Sequence, residues 1–119
     1  MTVQRLSIKA LNSLLDGKTR EAATCLIKFY SNDCHYCHAL KDFYEEISSD
    51  YEGVYFFAFN IDDHPEVERQ LKFNGVPTIA MVIAEPPRTQ VKILSDPEKP
   101  HKDTWYRRSD IKNFIESYS

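Results

Sequence analysis

Cys34-His35-Tyr36-Cys37 carries the most reactive side chains of this sequence. Two cysteines three positions apart bring their sulfurs within bonding distance when the segment turns into a helix. Such a pair can cycle between dithiol and disulfide. In that reading Cys34 is the exposed attacking thiol, and Cys37, one turn further in, resolves the intermediate. A protonated His35 beside Cys34 favours its thiolate, whereas Asp33 competes for the same positive helix end and disfavours it. Because His38 follows Cys37, the run also spells the attachment pattern of a c-type haem. Cys34 and Cys37 would then be thioether anchors and His38 the axial ligand. That chemistry needs an apolar haem pocket, usually in an all-α chain. A tetrahedral zinc site would need two more ligands, and Cys25, His64 and His101 are scattered without ligand spacing. The dithiol reading asks for neither a metal nor an organic cofactor.

The flanking residues say how the pair is positioned. Residues 24–30 are a short, mostly apolar, β-rich run and read as a central strand. Ser31-Asn32-Asp33 supplies turn and cap chemistry. From Cys34 to about Ser49, Cys37, Leu40, Phe43, Tyr44 and Ile47 fall on one helical stripe. The cysteines thus sit where a strand hands over to a helix, with free N–H groups and the macrodipole favouring a thiolate. Upstream, residues 7–16 read as an amphipathic helix ending at Gly17. Downstream, 54–61 reads as a buried strand, and Asp62-Asp63-His64-Pro65 opens a short helix to about Phe73, closed by Asn74-Gly75. Residues 78–83 and 90–94 read as a strand pair with Pro86-Pro87 in the turn, and Ser109 as the cap of a last helix carrying Ile111, Phe114, Ile115 and Tyr118. The order (β)α-β-α-β-α-β-β-α predicts an α/β domain. Parallel neighbours come from the crossovers, and the late hairpin adds an antiparallel edge.

At 119 residues the chain has room for one core, so 1–119 is expected to be a single domain. A net charge of −3 lacks the basic excess of a nucleic-acid binder. No apolar run approaches the ~20 residues that span a bilayer. Gln4, Arg5 and Lys9 make the first residues too polar for a signal peptide. Three cysteines are too few to staple a mini-domain, so a reducing cytoplasm is the expected setting and a monomer the expected state.

Three segments together resemble the thioredoxin family: Phe29-Tyr30-Ser31-Asn32-Asp33-Cys34-His35-Tyr36-Cys37, Asn60-Ile61-Asp62-Asp63-His64-Pro65, and Gly75-Val76-Pro77-Thr78. The resemblance covers roughly residues 22–94. It implies the thioredoxin fold, a central mixed sheet of four to five strands with helices on both faces. It also implies a cis Val76–Pro77 bond lying against the cysteines, with the Val76 backbone pairing with an extended substrate. Family members usually place a buried Asp or Glu where this chain has Lys28, and that acid's lysine partner falls at Ala58. Lys28 can snorkel to solvent, the bland expectation, or stay charged near Cys37, or act as a desolvated base. Asp33 replaces a tryptophan, Tyr30 another, and His35-Tyr36 stands in place of Gly-Pro. A histidine beside the nucleophile argues for a more oxidising couple than a typical thioredoxin, and Asp33 blunts this.

The expectation is therefore a thiol–disulfide oxidoreductase with catalytic Cys34 and Cys37, tuned by Asp33, His35, Tyr36, Lys28, Val76 and Pro77. It would act as a protein-disulfide reductant on disulfide-containing proteins, regenerated by a disulfide reductase or a small dithiol. A disulfide oxidase or isomerase, and a thioredoxin-fold binding subunit of a larger complex, stay open as alternatives. Cys25 reads as a buried small hydrophobe, with a regulatory thiol as the alternative. Trp105-Tyr106-Arg107-Arg108 reads as the lead-in to the last helix with Trp105 packing on the core, with a substrate-facing or basic surface strip as the alternative.

Overall fold

The computed structural model describes residues 3–118, so Met1, Thr2 and Ser119 at the ends of the expected domain lie outside the described residues. The elements run β1 (Gln4–Arg5), α1 (Ile8–Leu15), β2 (Ala23–Tyr30), α2 (His35–Ser48), β3 (Val54–Asn60), α3 (Glu66–Leu71), β4 (Thr78–Glu85), β5 (Arg88–Ile93) and α4 (Arg108–Glu116). They build one five-stranded sheet in the order β1-β3-β2-β4-β5. β1 and β2 pair parallel with β3, and β4 pairs antiparallel with both β2 and β5. This is the mixed sheet that the thioredoxin resemblance implies.

β2 lies at the centre, and its alternation defines two cores. Cys25, Ile27 and Phe29 face Leu11 and Leu14 of α1 and Val67 of α3. Leu26 faces Leu40, Tyr44 and Ile47 of α2 and Ile111, Phe114 and Ile115 of α4. The Tyr44 hydroxyl donates to the Leu26 and Phe57 carbonyls at 3.1 and 2.8 Å, which fixes α2 across β2 and β3.

Two helix boundaries differ from the sequence expectation. α3 does not run to Phe73 with Asn74-Gly75 as its close. Lys72 takes the left-handed conformation, φ 61°, and the Phe73 N–H reaches back to the Glu68 carbonyl at 3.0 Å. That closure turns Phe73 into the core, its ring 4.9 Å from Phe29. The last helix is capped by Arg107 rather than Ser109, because the Asp110 carboxylate three residues on accepts the Arg107 N–H at 2.7 Å. The hairpin strands run beyond their expected ends until Glu85 pairs with Arg88 around Pro86-Pro87.

Gly17 ends α1 with φ +69°, and a Cβ there would lie 2.1 Å from the Pro87 carbonyl oxygen. Gly17→Ala would add left-handed strain to a backbone clash. The expected loss is at least about 2 kcal/mol in urea unfolding, and an unchanged midpoint would contradict it.

Candidate functional site

The site grows from the C-terminal end of β2. Turn chemistry between β2 and α2 is braced by an amide–carboxylate network. The Asp62 carboxylate accepts the Asn32 N–H at 2.9 Å. The Asn60 amide donates to the Asn32 side-chain oxygen at 2.9 Å and accepts the Asp62 N–H at 2.9 Å. The residues after β3 thereby hold the loop that delivers Cys34. Asn60 and Asp62 carried no sequence signal for this role, since the contacts span about thirty residues of chain.

Cys34 is the N-cap of α2, and its Sγ accepts the Cys37 N–H at 3.1 Å. The two sulfurs are joined in a disulfide, S–S 2.07 Å. Cys34 is not the exposed thiol the sequence suggests: it is buried at 8% exposure, because it caps α2 with its sulfur bonded to Cys37, yet it is more open than Cys37 at 1%. The free N–H groups of the first helical turn point toward this sulfur, where a thiolate would be stabilised.

His38 is not simply a solvated helix residue. Its Nε2 lies 2.8 Å from the Asn32 carbonyl, which can only accept, so the proton is on Nε2. The nitrogen that a haem iron would need is thus committed to the loop, and both sulfurs are bonded to each other. His64 lies just before α3, 3.4 Å from Glu66, and His101 lies in the loop after β5, paired with Trp105. Among the described residues no three His, Cys, Asp or Glu side chains gather into a metal-binding group.

Lys28 departs from the snorkelling expectation. It pairs with Ala58 on β3, as the sequence register requires, but its side chain is only 5% exposed. Nζ lies 5.5 Å from the Tyr30 ring centre and 5.4 Å from that of Tyr44. No carboxylate lies within ion-pair distance of it among the described residues. It lines a cavity of about 300 Å³ together with Cys37, His38, Lys41, Tyr44 and Glu45. Burial, reinforced by the Lys41 charge and opposed by Glu45, brings the amine from 10.5 down to about 8.

Asp33 and His35 are exposed and flank Cys34 in sequence, while Tyr36 is half-buried. The Tyr36 ring contacts His35 at 5.6 Å and Trp105 at 5.5 Å. Trp105 does pack against the core beside α4, and its ring also reaches Tyr36 between the cysteines. The Val76–Pro77 bond is cis. Thr78 pairs with Phe29, so Val76 and Pro77 enter the sheet at the same end as the cysteines leave it. Cys25 is 2% exposed, and burial pushes its thiol up to about 11.

The family model described as Thioredoxin matches residues 7–99. Comparison with curated protein sequences gives no match. Among solved structures, the chain is similar to a chloroplastic thioredoxin z at 16% identity, covering 98% of this chain and 94% of that one, TM-score 0.68. A Plasmodium falciparum thioredoxin is 17% identical, with 97% and 84% covered and a TM-score of 0.68. A Malassezia sympodialis thioredoxin is 15% identical, with 98% and 90% covered and a TM-score of 0.67. At these identities the likeness is one of fold.

Proposed function

The chain belongs to the thioredoxin family, and from that premise we propose that it is a thiol–disulfide oxidoreductase working as a protein-disulfide reductant through Cys34 and Cys37. The observation that carries this reading is the disulfide at the strand-to-helix junction, with both cysteines buried and Cys34 the more open of the two. In the reduced protein the Cys34 thiolate attacks a substrate disulfide. The Cys34–substrate bond forms as the substrate S–S bond breaks and one substrate sulfur leaves as thiolate. Cys37 then attacks Cys34 Sγ, expels the second substrate sulfur and closes the internal disulfide. Two electrons pass to the substrate, and two protons end on its thiols.

Each neighbour has a part in this scheme. The Cys37 N–H stabilises charge on Cys34 Sγ. Lys28, in the cavity shared with Cys37, accepts the Cys37 proton through its neutral fraction, which is minor below pH 8 and grows above it. The Asp33 carboxylate beside Cys34 disfavours the reduced thiolate form and so favours the reducing direction; His35, when protonated, opposes it. Tyr36 lies between the cysteines and sets their surroundings. The Val76 backbone, ahead of Pro77, offers main-chain partners to an extended substrate at the same sheet end. Substrates are proteins with accessible disulfides, and a disulfide reductase or small dithiol in a reducing compartment restores the dithiol.

An equilibrium titration of Cys34–Cys37 against defined thiol buffers, with the thiols trapped and weighed, tests the reading. A two-electron couple near about −270 mV is the expected result. A value of about −180 mV or higher would reverse the direction to oxidase or isomerase. Absence of a reversible couple would replace the enzyme with a binding module.

A further inference from the structure

β2 runs out toward Cys34 at the sheet end where β4 begins, and β5 finishes there too, since the Leu94 N–H donates to the Ile79 carbonyl at 2.9 Å. Residues 95–107 therefore leave the sheet beside the dithiol. They form a built loop. His101 and Trp105 exchange two backbone hydrogen bonds, at 2.9 and 3.0 Å. The Arg107 guanidinium donates to the Lys99 carbonyl at 2.6 Å, and Tyr106 just before it is fully buried. Trp105 itself has φ +66°, a left-handed conformation that a bulky residue adopts only where its surroundings over-determine it. Its Nε1–H donates to the Asp96 carboxylate at 3.2 Å, which fixes the ring. The ring so held lies 5.5 Å from Tyr36 at an interplanar angle of 59°.

Glycine would take that backbone conformation without strain. The chain instead carries its one tryptophan there, its ring against Tyr36, one of the two residues between the cysteines. Two rings tilted by 59° present a face and an edge, into which a third ring enters in the preferred edge-to-face or offset manner. Charge offers no comparable selection on this loop. Asp96, Glu98 and Asp103 stand against Lys99, Lys102 and Arg107, and the Asp96 carboxylate is engaged by Trp105.

We propose that Trp105 and Tyr36 form a fixed aromatic shelf beside the dithiol, and that Trp105 is a specificity-determining residue selecting disulfides whose cysteine is flanked by an aromatic side chain. This rests on the oxidoreductase reading and names the substrate class of the same site. An aromatic contact of this kind corresponds to about a 2–10-fold preference.

The test uses the full chain and two peptides that differ only in Phe or Ala beside a cysteine held in a mixed disulfide with a small thiol. The reduced protein is expected to show a kcat/KM ratio of about 5 in favour of the Phe peptide. Trp105→Gly, which suits the left-handed backbone, should bring the ratio toward 1, and Trp105→Phe should restore most of it. A wild-type ratio of 1, or an unchanged ratio in Trp105→Gly, overturns the shelf. If the wild type reduces neither peptide, the oxidoreductase reading falls, and the shelf is still decided by binding. The oxidised protein is then titrated with the same peptides carrying Ser for Cys, read by Trp105 fluorescence. Tighter binding of the Phe peptide upholds the shelf, and equal binding overturns it.

Discussion

Cys37→Ser is expected to stop the reaction halfway and hold the substrate on Cys34 as a mixed disulfide. The reason is the difference in exposure between the two cysteines: Cys34, at 8%, is the more open to a substrate, and Cys37, at 1%, is bonded to Cys34 and enclosed. With Cys37 gone, nothing nearby can expel the bound substrate. Cys25 cannot substitute, because it lies on the opposite face of β2 from the Lys28 cavity and its thiol is held protonated by burial. Turnover should fall on the order of 10³-fold or more, with the adduct visible by intact mass under non-reducing conditions. Cys34→Ser should lose turnover as completely and form no adduct, since a serine hydroxyl is a poor nucleophile at neutral pH. Adduct formation by Cys34→Ser through Cys37 would reverse the assigned roles. Unimpaired release by Cys37→Ser would show that resolution is intermolecular.

Local signals carried most of what was legible in the sequence. The strand at 24–30, the turn Ser31-Asn32-Asp33 and the stripe Cys37, Leu40, Tyr44 and Ile47 each depend on neighbours along the chain, and all appear where their spacing put them. The boundaries that moved did so through single tertiary demands. Phe73 belongs against Phe29, so Lys72 takes the left-handed position and α3 ends two residues early. Asp110 is better placed to accept the N–H of Arg107 than to serve a helix starting after Ser109.

The site was legible only in part, for the same reason. Cys34 and Cys37 announce themselves by spacing. The Asn32–Asn60–Asp62 bracing joins polar residues that each look like ordinary turn formers. Trp105 shows no periodic partner and reaches Tyr36 because β5 finishes at the same end of the sheet as β2. Of the outcomes open to Lys28, only snorkelling fails, although a lysine in a strand commonly carries its charge to water. Here Tyr30 and Tyr44 enclose the stem and Nζ, and α2 covers the exit.

Lys28→Met is expected to stabilise the oxidised protein and slow its catalytic cycle at the same time. The lysine amine titrates near 8 in the folded chain against 10.5 for an unhindered one. Below pH 8 both folded and unfolded chains hold the proton, and the folded state bears the full cost of a desolvated ammonium. Between 8 and 10.5 the unfolded chain holds more protons, so wild-type stability rises with pH relative to the variant. The cost amounts to roughly 3 kcal/mol at most, offset by cation–π contacts with Tyr30 and Tyr44 of about 0.5–2 kcal/mol. Methionine keeps the packing of the stem. A net gain of about 1–2 kcal/mol is expected at pH 7, disappearing by about pH 10 in urea titrations. Arg5, Tyr30, His38, Lys41, Tyr44 and Glu45 share the cavity in both proteins, but Lys41 loses its repulsion and Glu45 its attraction to Lys28 in the variant, two changes of opposite sign. Resolution of the mixed disulfide should meanwhile slow on the order of 10²-fold in the variant and lose its inflection near pH 8, because Cys37 no longer has a neighbouring base. Stabilisation without slowing would make Lys28 a buried charge and nothing more. Slowing with an unchanged pH profile would assign it to positioning Cys37 rather than to taking its proton.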